Sequence, residues 1–323
     1  MRILKPVLWT IVACLVAGVV AAVFLIWGPS LRSPTAPAPH ATYVRSLGSS
    51  GPGKLQQPIG VVVAASGEIF VSSSGDNRIV VFGPDGAFRR SFGREGDGPG
   101  ELQRPMHLSI GPDGLLYVPE YLNDRISIFR QDGTFVSHLA PKGLDAPGAV
   151  IIGRDGTMYI ASFYQHEVMR LSSQGKPLAP WGTPGRIEQG KLHYPTDLAF
   201  APDGSLWVAD AYNNRLQHFA NGQSTAVVGW DLGLRIFGFR VATGVAVDPL
   251  GRVYGADFGH GKVRVFDPNG TPLDSFGSEG KGPAQFDRPE SIAFHDDRIY
   301  VTDFGNHRLQ EWKFGQAKSK PLP

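Results

Sequence analysis

The chain has 323 residues, a formal charge of +2, 41 Gly, 26 Pro, 11% aromatic residues and a single cysteine. It is too apolar and too regularly patterned for disorder, and one cysteine excludes a disulfide scaffold. Lys and Arg form no dense run, so the charge pattern gives no nucleic-acid footprint and no such partner is expected.

Residues 1–6 carry Arg2 and Lys5 and are expected to stay in the cytoplasm. VLWTIVACLVAGVVAAVFLIW (7–27) is uncharged and reaches the ~20 residues that a helix needs to cross the hydrocarbon layer. Trp9 and Trp27 stand near its ends, as an aromatic belt would, and Arg32 alone follows closely. The run is longer than the ~7–15 residues of a signal-peptide core, so it reads as an uncleaved signal-anchor with the rest of the chain exported, periplasmic in a bacterium. IVAC (11–14) resembles a lipoprotein cleavage box, but the residues after Cys14 stay apolar where a mature lipoprotein turns polar. Ala13, Ala17 and Ala21, with Gly18 and Ala22, give small residues at the spacing that lets a second transmembrane helix approach. A protein partner in or at the membrane is therefore expected. Residues 28–41 include SPTAPAPHA (33–41) and read as a Pro-rich, semi-rigid spacer.

From residue 42 the chain repeats. Pro58, Pro105, Pro147, Pro195, Ala242 and Pro289 mark one nearly even register. Each mark opens an alternating apolar run, as in PTDLAFAPDG (195–204), followed by a turn, a second strand, a polar loop, a third strand, another turn and a short fourth strand. The polar loop with its flanking strands reads VADAYNNRLQHF (208–219), VTDFGNHRLQEW (301–312), VPEYLNDRISIF (118–129) and VSSSGDNRIVVF (71–82), with weaker copies GADFGHGKVRVF (255–266) and IASFYQHEVMRL (160–171). Four strands repeated six times predict an all-β, six-bladed β-propeller. The sixth unit (289–314) supplies three strands, and TYVRSLG (42–48) matches the fourth-strand pattern of RRSFG (89–93), so it is expected to complete the last blade. The propeller is assigned to 42–315 and a short tail to 316–323.

These motifs, with loops such as GREGDGPGELQRP (93–105) and GSEGKGPAQFDRP (277–289), resemble the NHL-repeat family. The resemblance covers about residues 42–315 and implies fold far more strongly than function. It points to similarly built peptidyl-hydroxyglycine amidating lyases, which hold zinc through histidines directly after the strand-opening proline. Those positions here are Ile59, Met106, Gly148, Thr196, Thr243 and Glu290, and none is His. Gluconolactonase-like propellers hold a metal through scattered Glu, Asn and Asp, a pattern that these blades do not match. No metal or cofactor is expected.

A motif present in every blade is expected to be architecture, with Asp210 and Arg215 and their counterparts satisfying loop backbone groups and linking neighbouring blades. Departures from the repeat are better site candidates. Two residues after the register mark the series runs Gly60, His107, Ala149, Asp197, Gly244, Ser291, so His107 and Asp197 stand out; one residue after it Glu290 does. His260 replaces the usual Asn of the loop motif and Glu167 replaces the usual Arg. Tyr121, Tyr164 and Tyr212 add aromatics to the same rim. The candidates are therefore His107, Glu120, Tyr121, Tyr164, Asp197, Tyr212, His260 and Glu290, for a ligand or a partner. The expected function is a membrane-anchored protein-interaction module, an accessory subunit of a membrane complex. The alternative is a lyase or lactonase-like hydrolase at the central channel mouth.

Overall fold

A computed structural model describes residues 40–229 and 238–315. Six four-stranded antiparallel sheets follow one another along the chain, over residues 58–92, 105–139, 147–181, 195–228 and 242–276, with 289–315 closing the series. We number these blades 1 to 6. The outer strand of blade 6 comes from the other end of the described chain: His40–Leu47 pairs antiparallel with Arg308–Gly315. This strand begins at His40, inside the stretch expected to be spacer. It is held by the Arg45–Glu311 ion pair at 2.6 Å and by an edge-to-face contact of Tyr43 with Trp312 at 5.7 Å. The cytoplasmic segment, the anchor at 7–27 with Cys14, the spacer before His40 and the tail at 316–323 lie outside the described residues. Among the described residues no helix is long and apolar enough to cross a membrane.

The alternating apolar residues of each blade meet those of the next, so the core is a ring of inter-blade layers. Phe70, Ile79 and Val81 of blade 1 pack on Leu108, Leu116 and Phe129 of blade 2. Leu47 and Leu309 of blade 6 pack on Val61, Ile69 and Val71 of blade 1, which closes the ring. Each fully buried aliphatic or aromatic side chain contributes roughly 1.5–3 kcal/mol, so no blade can give up either neighbour cheaply.

The inner strands crowd one another around the axis. A Cβ on Gly60 would stand 2.5 Å from the Met106 carbonyl oxygen, and one on Gly244 only 1.9 Å from that of Glu290. This close approach explains why the second residue after the register mark is small in most blades. In five of the blades the inner strand also carries a register shift immediately after the mark, for example between Pro195 and Asp197. Such a bulge re-aims the residues beside it. In blade 2 the ladder is broken further: Ser109–Ile110 is all that remains of a regular inner strand, and His107 instead bridges Ala149 of blade 3.

Candidate functional site

The loop motif is a brace within each blade. Asp210 Oδ2 accepts hydrogen bonds from Arg215 Nε, Asn213 Nδ2 and Gln217 Nε2, each at 2.8 Å, while Oδ1 accepts the His193 amide at 2.7 Å. Arg215 in turn donates to the carbonyls of Ile187, Glu188 and Lys191. Those carbonyls belong to the long connection from blade 3 to blade 4, which curls back on itself through a parallel pairing of Thr183–Pro184 with Lys191–Leu192. Asp303 with Arg308 and Asp257 with Arg264 repeat the arrangement, at 2.7 and 2.6 Å. Ser73 and Ser162 replace the acid in blades 1 and 3, where the preceding connection is short and offers less backbone to hold. The ion pairs thus lie inside blades rather than between neighbours.

Two candidates belong to this brace. Glu120, fully buried, accepts from Arg125 Nε at 2.7 Å, Asn123 Nδ2 at 2.6 Å and the Gln103 amide at 2.9 Å. His260 stands where Asn213 stands in blade 4, with Nδ1 3.0 Å from both carboxylate oxygens of Asp257. Their hydrogen bonds are spent on architecture, and neither lines the central cavity.

The other six candidates meet at one end of the central channel. His107, Tyr121, Tyr164, Tyr212 and Glu290 line a mouth of about 560 Å3, and His107 and Asp197 line a narrower cavity of about 270 Å3 below it. The mouth is walled mainly by aromatic rings from the loops of blades 2 to 4. Tyr121 donates to the Tyr164 hydroxyl at 2.8 Å, and Phe163 lies between them and Tyr194, 5.6 Å from Tyr121 and 4.6 Å from Tyr194 by ring centroids. Tyr212 packs on Tyr194 at 5.0 Å. Tyr164 and Tyr212 keep 49% and 54% of their surface exposed, enough to present ring faces to another molecule. Edge-to-face packing holds this wall in place without filling the cavity.

Opposite the aromatic wall, in blade 6, stands Glu290. Its carboxyl reaches into the enclosed funnel, and burial pushes it up to about 8, against the opposing effects of Thr243, Arg104 and Arg288 and with the help of Asp197. It is thus mostly a neutral acid at pH 7. Two guanidiniums line the mouth at different points, Arg104 over Tyr121 at the edge of the aromatic wall and Arg288 over Phe304 in blade 6, each 5.0 Å from the ring centroid.

At the neck, His107 Nδ1 lies 3.5 Å from Asp197 Oδ2, and neither ring nitrogen of His107 has a hydrogen-bond partner among the described residues. His107 lies against blade 3, its amide donating to the Gly148 carbonyl at 3.0 Å, and Gly60 of blade 1 leaves room for its backbone. Asp197 is fixed by the amides of Leu198 and Val245 at 2.9 and 3.0 Å. Burial lowers the imidazole and raises the carboxyl, so His107 is uncharged at neutral pH.

Sequence reasoning missed Tyr194, Arg104 and Arg288. They share the position just before the strand-opening proline, where all six blades place a residue with positive φ: Gln57, Arg104, Ala146, Tyr194, Val241 and Arg288. Four of them, Arg104, Tyr194, Val241 and Arg288, line the mouth, and register alone could have found them. The positions that correspond to the zinc ligands of the amidating lyases do line the mouth, but Ile59, Met106, Thr196 and Thr243 offer no nitrogen or carboxylate ligand there, and Glu290 alone supplies a carboxyl.

The family model for the NHL repeat matches residues 192–219 and 286–312. Over 180 residues the chain is 30% identical to peptidyl-glycine alpha-amidating monooxygenase A of Xenopus laevis, covering 51% of this chain and 18% of that protein. Over 153 residues it is 26% identical to human NHL repeat-containing protein 3, covering 44% and 42%. The chain therefore spans less than half the length of each of these relatives. Among solved structures, a gluconolactonase of Xanthomonas campestris superposes with a TM-score of 0.62 at 16% identity, covering 88% of this chain and 100% of that one, a likeness of fold alone. Six sheets closed into a ring, with repeat matches in blades 4 and 6, make the chain a six-bladed β-propeller that carries NHL repeats.

Proposed function

We propose that the protein is a binding module: an exported, membrane-tethered propeller whose mouth docks a segment of a partner protein, as an accessory subunit of a membrane complex. The observation that carries this reading is the half-exposed aromatic wall of Tyr121, Phe163, Tyr164, Tyr194 and Tyr212 around an open cavity. Exposed tyrosines held rigidly by their neighbours provide large contact area at low entropic cost, as interface anchors do. The apolar run at 7–27 supports the tether and the small-residue face at Ala13, Ala17 and Ala21 supports a partner inside the bilayer.

Purification of the full chain in mild detergent from cells that produce it tests the reading. The wild type is expected in a complex, and Tyr164→Ala/Tyr212→Ala is expected as a lone monomer with unchanged thermal stability. A wild-type chain that elutes alone counts against it.

The alternative, a lyase or lactonase-like hydrolase, has one observation on its side: His107, buried with two unpartnered ring nitrogens, beside Asp197 and below a protonated Glu290. No group of three or more metal-ligating side chains accompanies them among the described residues. Metal analysis and thermal shift with zinc or calcium separate the two readings; a tightly held stoichiometric metal favours the hydrolase.

A further inference from the structure

The mouth is lined by two cationic side chains, Arg104 stacked on Tyr121 at the edge of the aromatic wall and Arg288 stacked on Phe304, and by one carboxyl, that of Glu290. Arg104 makes no ion pair among the described residues; only its backbone is hydrogen-bonded, to Asn77 and Tyr121. Arg288 pairs with Asp287 through Nε at 3.0 Å, and among the described residues its two terminal nitrogens make no hydrogen bond. Glu290 lines the same mouth, within electrostatic reach of both arginines.

We propose that the mouth captures the C-terminal residue of a partner chain, its free carboxylate held by Arg104 and Arg288 and its aromatic or large apolar side chain laid on Phe163, Tyr164 and Tyr212. The proposal rests on the partner-docking reading above and names what is docked. Guanidinium groups bind carboxylate through paired, charge-assisted hydrogen bonds. The cavity of about 560 Å3 accommodates a terminal residue and the one before it. Glu290, held neutral by burial, can donate its proton to the incoming carboxylate rather than repel it. A cationic group, the usual guest of an aromatic cage, meets two guanidiniums at the entrance.

The test is calorimetric titration of the full chain in detergent with four probes: a pentapeptide ending in phenylalanine with a free carboxylate, the same peptide as its C-terminal amide, 3-phenylpropionate and phenethylamine. The acid peptide is expected to bind about tenfold or more tightly than the amide. Arg104→Ala/Arg288→Ala, at surface positions, is expected to abolish that difference and leave the melting temperature in place. Equal binding of acid and amide, tighter binding of the amine, or no binding of any probe at millimolar concentration overturns the proposal while leaving partner docking open to its own test. Binding of 3-phenylpropionate as tightly as the acid peptide upholds the carboxylate site and overturns the protein-segment reading.

Discussion

Asn214 Oδ1 accepts the backbone amide of Val241 at 2.9 Å, across the boundary from blade 4 to blade 5, and both residues have positive φ. The same latch recurs around the ring. Asn77 takes the Arg104 amide, Asp124 the Ala146 amide, His166 the Tyr194 amide and His307 the Gln57 amide. At the boundary between blades 5 and 6 the position is Gly261, which keeps the conformation and lacks the side chain. The asparagine of the repeated motif is therefore an inter-blade latch as well as a turn residue. Asn214→Ala loses both the hydrogen bond and the easy left-handed conformation and is expected to cost about 2–3 kcal/mol in chemical denaturation. Asn214→Gly keeps the conformation and is expected to cost about 1 kcal/mol. An Asn214→Gly variant as stable as the wild type would show that the latch bond contributes nothing.

The brace predicts a larger effect. Asp210 and Arg215 are both almost fully buried at 2.8 Å. Removing either leaves the other charge without its counter-ion and frees the connection at 183–194. Asp210→Ala is expected to destabilise the fold by about 3–5 kcal/mol, measured by denaturant titration. A loss below about 1 kcal/mol is the range of an exposed pair and contradicts the account.

Ring closure depends on the first described strand. Deleting residues 40–47 exposes the edge of Arg308–Gly315 and part of the layer around Leu309 and Trp312. The deletion variant is expected to aggregate or to lose its cooperative melt in circular dichroism. A melting temperature equal to that of the wild type would show that the ring closes without it.

Two groups, Glu290 in the mouth and His166 packed against Tyr194, oppose each other in pH dependence. Glu290 rises from 4.5 to about 8 on folding, so between those values the unfolded chain gives up a proton that the folded one keeps, and stability falls as pH rises across that window. Glu290→Gln is expected to remove that decline and to melt higher than the wild type above pH 8. His166 is lowered below 6.5 by burial and accepts the Tyr194 amide through Nδ1, so protonation breaks its latch. Stability is lost as pH falls below 6.5, and His166→Asn, which keeps an acceptor, is expected to flatten the acid side of a melting profile taken from pH 4 to 9. Profiles unchanged by either substitution would show that neither group is perturbed by folding.

The wheel was legible because its signal is periodic. Register marks, turns and the orphan strand at 42–48 specify six sheets and their closure without any knowledge of side-chain contacts. The site was legible only where it broke the period. His107, Asp197 and Glu290 stood out against small or neutral residues, and the structure brings them to one channel. Glu120 and His260 broke the period for a different reason: a longer acid and an imidazole fill the same brace as Asp210 and Asn213. Distinguishing the two cases needs to know which way each side chain turns, and that depends on the bulge after the register mark, which no residue type announces. The left-handed position before each proline was hidden because Gln57, Arg104, Ala146 and Val241 share no chemistry; tertiary context, not side-chain preference, holds them there.

The most direct measurement places a photo-crosslinking amino acid, p-benzoylphenylalanine, in the full-length protein at Tyr212, in the mouth, or at Leu250, in an exposed turn at the opposite ends of the strands. Irradiation in the producing cells followed by mass spectrometry is expected to give one defined adduct from Tyr212, mapping to the C-terminal peptide of a partner, and none from Leu250. Adducts from Leu250 alone, or none from Tyr212, would contradict the assignment of the binding surface to the aromatic mouth.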